Sequence, residues 1–203
     1  MPAVTELYRC LLKDTMALAQ SLVSVEVAIM CPKSDIDELS SFVCDSVQVV
    51  AQQGEGLATG LVSVFAHFAV GLRRVIAFNS DSPHLPASVL ADAFEALTTH
   101  DVVVGPTHDG GYYLVGAKTA HPTLFENDGM GTRNALEDLL ARTRVLDLSV
   151  GFAAPFYDID VADDLIRLAT ELRLAPAKAP QTAAWFAEWD QAMAKLRTGT
   201  EDL

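Results

Sequence analysis

The chain is short of positive charge. Fourteen Lys and Arg face 27 Asp and Glu, a formal net charge of −13. Sequence-independent nucleic-acid binding draws its affinity from basic side chains that neutralise phosphates, so this balance disfavours it. A small nucleotide is a different matter, because backbone N–H groups and a divalent cation can hold a diphosphate on an acidic protein. Cysteine is also scarce: Cys10, Cys31 and Cys44 form no CxxC pair, which argues for reduced thiols. The start, MPAVTELYRC, has no basic region followed by an apolar core, and a cytoplasmic location is expected. No long apolar run occurs. The longest uncharged stretch, Gly56 to Leu72, contains Gly, Thr, Ser and His and reads as a buried helix rather than a membrane span.

Several catalytic signatures are missing too. There is no G-x-x-x-x-G-K-[ST], and Gly54, Gly56 and Gly60 are spaced one residue too long for the dinucleotide fingerprint, so the stretch Gln52–Gly60 reads as a plain helix entry. Ser80 and Ser82 lack a G-x-S-x-G elbow and the cysteines lack a partnered His, which disfavours covalent nucleophilic catalysis. His84 and His108 have no HxxxH or HxD spacing, so surface histidines are favoured over a hydrolytic metal site.

What remains is globular. Half of the 203 residues are apolar and a fifth are charged, enough for a body that buries roughly 70% of the surface its unfolded chain exposes. Val4 to Leu22 has helical apolar spacing. Val25–Met30 reads as a strand, Lys33–Phe42 as a helix, Val47–Val50 as a strand, and Val75–Phe78 as a fully covered parallel strand. Pro86 opens a helix to Leu97. Strands are then expected at Asp101–Pro106, Tyr112–Gly116 and Val145–Leu148, with a helix from Thr132 to Leu140. The tail from 176 carries an amphipathic helix, Thr182–Leu196, with Trp185, Phe186 and Trp189. Alternating strands and helices imply a three-layer α/β/α sandwich with a mainly parallel, mixed sheet. The expected organisation is an α/β domain over 1–175 and a helical extension over 176–203.

Carboxylates close the apparent strands at Asp81, at Asp109 and at the pair Asp158/Asp160. Ligands bind beyond the carboxyl ends of strands in such sheets, and hard divalent cations take one or two protein carboxylates plus phosphate oxygens. A site for a metal-bound nucleotide follows. The alternatives stay open at this level: Asp81 as a turn former before Ser-Pro, and Asp158, Asp160, Asp163 and Asp164 as helix N-terminal charges, the preferred reading for the last two. In Asp109-Gly110-Gly111-Tyr112, consecutive glycines allow positive φ and close approach to a ligand, with Tyr112 able to set its ring against a sugar or base. A tight turn would use the same residues.

NSDSPHLP, HDVVVGPTHDGGYYLVG and FYDIDVADDL, in that order, resemble the bacterial glycosyltransferase A-like family, a branch of the nucleotide-diphospho-sugar transferase (GT-A, Rossmann-like) fold. ELYRCLLKDTMALA and the stretch from Gln53-Gly54 to Leu61 extend the similarity over most of residues 5 to 170. Related nucleotidyltransferases, among them 2-phospholactate guanylyltransferase and the molybdenum-cofactor guanylyltransferase, share the Asp-x-Pro strand end and the late Asp turn. The resemblance implies a metal-dependent transferase, with magnesium or manganese on Asp81 and Asp160, Asp158 being the alternative at the late turn. It implies Asp81 and Asp109 as catalytic groups. Gln53, Gly54, Ser80, Pro83, Gly110, Gly111 and Tyr112 would contact a nucleotide or nucleotide-sugar. Nucleotidyl transfer and a non-catalytic, homodimeric remnant are the alternatives. Two departures stand out. The strand and basic glycine loop that such proteins carry before their first helix do not occur, so the sheet is expected to lack its first strand, and Met130-Gly131-Thr132 stands where a Trp is frequent.

Overall fold

Residues 2–71, 73–125 and 132–198 are described by the computed structural model of the chain. Met130 and Gly131 lie outside them. In chain order the elements are α1 (Pro2–Gln20), β1 (Ala28–Cys31), α2 (Ile36–Phe42), β2 (Gln48–Ala51), α3 (Leu57–Phe68), β3 (Val75–Phe78) and α4 (Ala87–Thr99). Then follow β4 (Val102–Pro106), β5 (Tyr112–Ala117), α5 (Ala135–Val145), β6 (Val150–Phe152), α6 (Ala162–Leu174) and α7 (Pro180–Thr198). These fall into two compact units: Met1–Ser21 with Ser80–Pro86 and Asp158–Leu203, and Leu22–Asn79 with Ala87–Tyr157.

The second unit holds every strand found among the described residues. Its four-stranded sheet has the order β3-β5-β4-β6. β5 is antiparallel to both β3 and β4, and β6 is parallel to β4, so three of the four strands run the same way. One face of the sheet, built from Val102, Val104, Val115 and Ala117, packs on Phe65 of α3 and Leu139 of α5, and the Phe65 ring stacks on Phe125 at 5.5 Å. Helix α4 covers the other face. This is the three-layer α/β/α sandwich with a mainly parallel mixed sheet. Periodicity gave it away because near-continuous apolar strands such as Val102–Val104, buried on both faces, need a helix on each side.

Two strand readings are corrected. The apolar stretch Val145–Leu148 is not a strand. Helix α5 runs on to Val145, Asp147 takes φ 53°, and the Leu148 N–H returns to the Thr143 carbonyl at 2.9 Å. The apolar residues after the helix thus belong to a left-handed C-terminal cap whose Leu146 and Leu148 dock on the core, and the strand is Val150–Phe152. Likewise β3 is neither fully covered nor flanked by parallel strands. Its residues are all half-buried and its neighbour is the antiparallel β5. The Asn79 N–H donates to the Tyr113 carbonyl at 3.0 Å, which fixes the antiparallel alternation and turns the backbone polar groups of Ile76 and Phe78 away from β5. Among the described residues no strand takes them.

β1 and β2 form a separate parallel pair, registered from Ala28↔Gln48 to Cys31↔Ala51. Helix α3 packs on both β1 and β3. At their amino ends Arg73 reaches Glu26, Nη1 to Oε2 at 3.2 Å.

In the first unit α7 packs on α1 and α6 around Leu7, Leu11, Leu168, Leu172 and Phe186. A buried carboxylate ties two of these helices: Asp14 of α1 accepts the N–H groups of Gln181 (3.1 Å) and Thr182 (2.8 Å) and the Thr182 hydroxyl (2.7 Å), capping the start of α7. Among the described residues no helix is long and apolar enough to cross a membrane.

Candidate functional site

The first unit carries Ser80–Pro86 and the late turn Asp158–Asp160. Beyond Phe78 the chain turns through Ser80-Asp81-Ser82, where the Leu85 N–H donates to the Ser82 carbonyl at 3.1 Å. Ser82, Pro83, His84 and Leu85 are buried, leaving Ser80 and Asp81 half-buried at the margin. The Ile159 N–H donates to the Asp81 carbonyl at 3.1 Å, so the Asp158-Ile159-Asp160 turn is pinned to the Asp81 turn through the backbone. Asp164 accepts the N–H groups of Asp160 (3.2 Å) and Val161 (3.1 Å), which caps α6 and holds the Asp160 main chain. Its helix-cap role is the one expected from sequence.

Asp160 acts on Asp81 as a neighbouring like charge. Burial pushes the Asp81 carboxyl above the usual carboxylate range, and the like charge of Asp160 pushes it further. No hydrogen bond to the Asp81 carboxylate is found among the described residues. A divalent cation suits this pair: it would supply the missing counter-charge and take two hard oxygen donors, leaving its other positions for phosphate oxygens and water. Asp158 is half-buried and Asp160 exposed on the same turn. Among the described residues no group of three or more His, Cys, Asp or Glu is placed to hold a metal ion.

His84 is not on the surface, as its sequence context suggested, but 1% exposed. Burial lowers its pKa to about 4, despite Glu171, whose Oε2 lies 4.0 Å from Nε2. It is a neutral packing residue under the loop, whereas His108 is exposed.

The second unit carries the other predicted residues. The loop between β4 and β5 is closed by the Thr107 N–H on the Gly111 carbonyl at 3.0 Å. The Asp109 carboxylate accepts the Thr107 hydroxyl and the Gly111 N–H, the latter at 3.2 Å. These two bonds, the hydroxyl first, hold its pKa below the ordinary range. An anion so stabilised is a weak proton acceptor, and one oxygen is committed to the loop. Gly110 sits at φ 99°, where a Cβ would lie 2.1 Å from the Arg133 carbonyl oxygen, and its own carbonyl accepts the Leu136 N–H at 3.0 Å. Packing against the start of α5 therefore demands glycine here, beside any ligand role. Tyr112 is half-buried against the core.

Gln53 and Gly54 follow β2 and are exposed. Ser63 of α3 holds Gln53 by both backbone groups, accepting its N–H at 2.8 Å and donating to its carbonyl at 3.1 Å. Gly54 takes φ 77° and Gly56, at φ 87°, precedes the first turn of α3, as a plain helix entry requires.

The structure thus groups Ser80, Asp81, Pro83, Asp158 and Asp160 in one unit and Gln53, Gly54 and Asp109–Tyr112 in the other. Sequence reasoning missed Thr107, although Thr-x-Asp before glycines is a signal for a side-chain-closed turn. It also missed Tyr8 and Thr15, which hold Ser80 from 72 and 65 residues away, a separation at which no local pattern exists.

No curated protein sequence matches the chain. Among solved structures, a candidate nucleotide-diphospho-sugar transferase from Desulfovibrio desulfuricans G20 superposes with a TM-score of 0.83 at 24% identity, covering 96% of this chain and 86% of that one. The 4-diphosphocytidyl-2C-methyl-D-erythritol synthase of Anaerococcus prevotii DSM 20548 gives 0.62 at 12% identity over 80% and 86%. Rv0371C of Mycobacterium tuberculosis H37Rv, crystallised with manganese, gives 0.54 at 16% over 78% and 85%. These likenesses establish the fold as that of the nucleotide-diphospho-sugar transferases and nucleotidyltransferases. Residues 15–132, more than half of the sequence, match the model of DUF2064, uncharacterized proteins conserved in bacteria, and the chain belongs to that family.

Proposed function

We propose that the protein is a metal-dependent transferase that moves a glycosyl group from a nucleotide-activated sugar to an acceptor. The observation that carries this reading is the Asp81/Asp160 pair, two carboxylates of one unit whose turns are joined by the Ile159 N–H on the Asp81 carbonyl at 3.1 Å, with burial and then the like charge of Asp160 raising the Asp81 pKa. Asp81 and Asp160, with Asp158 beside them, would bind magnesium or manganese on the donor diphosphate. The cation supplies charge neutralisation for the departing diphosphate, the largest catalytic effect expected of such a site. Ser80 and Pro83 shape the approach to Asp81. Gln53, Gly54, Gly110, Gly111 and Tyr112 of the second unit would contact nucleotide or sugar, with the Gln53 and Gly111 N–H groups already committed to Ser63 and Asp109. Asp109, held ionised, suits orienting a hydroxyl or a cation better than taking a proton.

Nucleotidyl transfer is the second reading, supported by the likeness to the diphosphocytidyl-methylerythritol synthase. Product analysis with Mn²⁺ separates the two. A panel of nucleotide sugars yielding free nucleoside diphosphate supports glycosyl transfer, and pyrophosphate released from GTP or CTP supports the alternative. Either activity is expected to fall at least 100-fold in Asp81→Ala, roughly the loss of one major electrostatic contributor. Failure of wild-type protein to turn over or bind any of these compounds would leave the fold without its chemistry and reject both readings.

A further inference from the structure

Three consecutive polar groups around Asp81 are held from outside their loop. The Ser80 hydroxyl lies 2.9 Å from the Tyr8 hydroxyl, and the Ser80 carbonyl accepts from Thr15 Oγ1 at 3.2 Å. The Asp81 carbonyl accepts the Ile159 N–H at 3.1 Å. Tyr8 and Thr15 are seven residues apart on α1, two turns along one face, so one side of a single helix grips both the side chain and the main chain of Ser80. The main chain on each side of the Asp81 Cα is fixed, and the direction in which its carboxylate leaves the backbone is fixed with it.

The Tyr8–Ser80 bond is unlike its companions. Thr15 is buried and its hydroxyl also serves the Leu11 carbonyl at 2.9 Å, an ordinary way of satisfying a core threonine. Tyr8 is 50% exposed, and water could satisfy its hydroxyl equally well. A bond between exposed hydroxyls adds little to folding stability, because it exchanges for bonds to solvent. What it does fix is the rotamer of the residue next to Asp81.

We infer that Tyr8 is a positioning residue for the metal site, acting through Ser80 on the aim of the Asp81 carboxylate toward Asp160. The inference rests on the metal-site reading above. It assigns a role to the first helix, whose Asp14 separately caps α7.

The test is a double-mutant cycle on the full chain, read as Mn²⁺ affinity by electron paramagnetic resonance, with Tm recorded for every variant. Tyr8→Phe keeps the ring and removes the hydroxyl, and Ser80→Ala removes its partner. Each single change is expected to weaken Mn²⁺ binding about three- to tenfold with Tm nearly unchanged, and the double variant is expected to be no weaker than either single one, since both remove one interaction. Undiminished affinity in Tyr8→Phe overturns the proposal, as do fully additive losses. A fall in Tm with Mn²⁺ affinity intact assigns the bond to stability and overturns it as well. If wild-type protein binds no Mn²⁺, or Asp81→Asn binds it equally, the metal-site reading itself fails, an outcome distinct from a failure of Tyr8.

Discussion

Asp14→Ala is expected to lower the thermal midpoint by roughly 10 °C, with α7 released first. The Asp14 carboxylate is 3% exposed, and Thr182, which donates both its N–H and its hydroxyl to it, is fully buried. Removing the acceptor leaves those donors, and the Gln181 N–H, without their acceptor at the start of a 19-residue helix. Each buried unsatisfied group costs about 1–3 kcal/mol, so about 3–5 kcal/mol in total is reasonable, and about 2–4 °C per kcal/mol applies at this chain length. Both tryptophans of the protein, Trp185 and Trp189, lie on α7 and stack on each other at 5.3 Å. Their fluorescence therefore reports α7 directly. Thermal melts followed by tryptophan emission and by far-ultraviolet circular dichroism should show emission changing at or before the loss of helix. A midpoint within about 2 °C of wild type would show that water replaces the cap, in conflict with the buried geometry.

Asp81→Asn should act in the opposite direction. The Asp81 carboxyl titrates above the ordinary range in the folded protein, first through burial and then through Asp160. The folded state accordingly holds this proton more tightly than the unfolded chain does. Stability contributed by protonated Asp81 is complete below the unfolded pKa, near 3.9, and is lost as pH rises through the raised folded value, so at neutral pH the ionised group is a net cost. An uncharged isostere removes that cost. With metal absent, Asp81→Asn should melt roughly 2–6 °C above wild type at pH 7, the gain typical of a relieved charge in a chain this size. The difference should vanish at a pH below the ordinary carboxylate range, where both proteins are neutral at this position. A variant less stable than wild type at pH 7, or one whose advantage persists in acid, would contradict the electrostatic reading of the pair. A stability gain at a residue proposed to carry function is also what is expected where a site holds like charges ready for a cation.

Layering was legible because it follows from local periodicity. Val102–Val104 and Tyr113–Val115 are apolar on both faces and need covering twice, while helices α1 and α4 show one-sided spacing, so the sandwich follows. Strand order was not legible. β3 and β4 are consecutive strands joined by α4, yet β5 lies between them. That insertion depends on cross-strand packing, with Gly116 making room for Val103 and Ile76, whose side-chain carbons would lie 2.7 and 3.0 Å from a Cβ there. Pairing of this kind joins residues far apart in the chain and leaves no local trace. Val145–Leu148 misled for a related reason, since a left-handed helix cap with two docked leucines and a short buried strand use the same letters.

The candidate site shows the same division. Asp81 and the Asp-Ile-Asp turn announced themselves as carboxylates where strands end, and Asp164 announced itself as a cap. Thr107 sealing Asp109, His84 buried beneath the loop, and Tyr8 reaching Ser80 are set by tertiary contacts. Of these, Thr107 changes the chemistry most. It holds Asp109, expected as a catalytic group, as an anion stabilised within its own turn. The carboxylate pair is what we propose as the chemical centre of the first unit.

The most direct measurement is a titration of Mn²⁺ into the metal-free protein, by calorimetry or electron paramagnetic resonance, for wild type, Asp81→Asn and Asp160→Asn. One bound Mn²⁺ per chain in wild type, weakened at least tenfold in both variants, is the predicted result. No binding by wild type up to millimolar Mn²⁺, or equal binding by all three proteins, would contradict the assignment of Asp81 and Asp160 as a metal site.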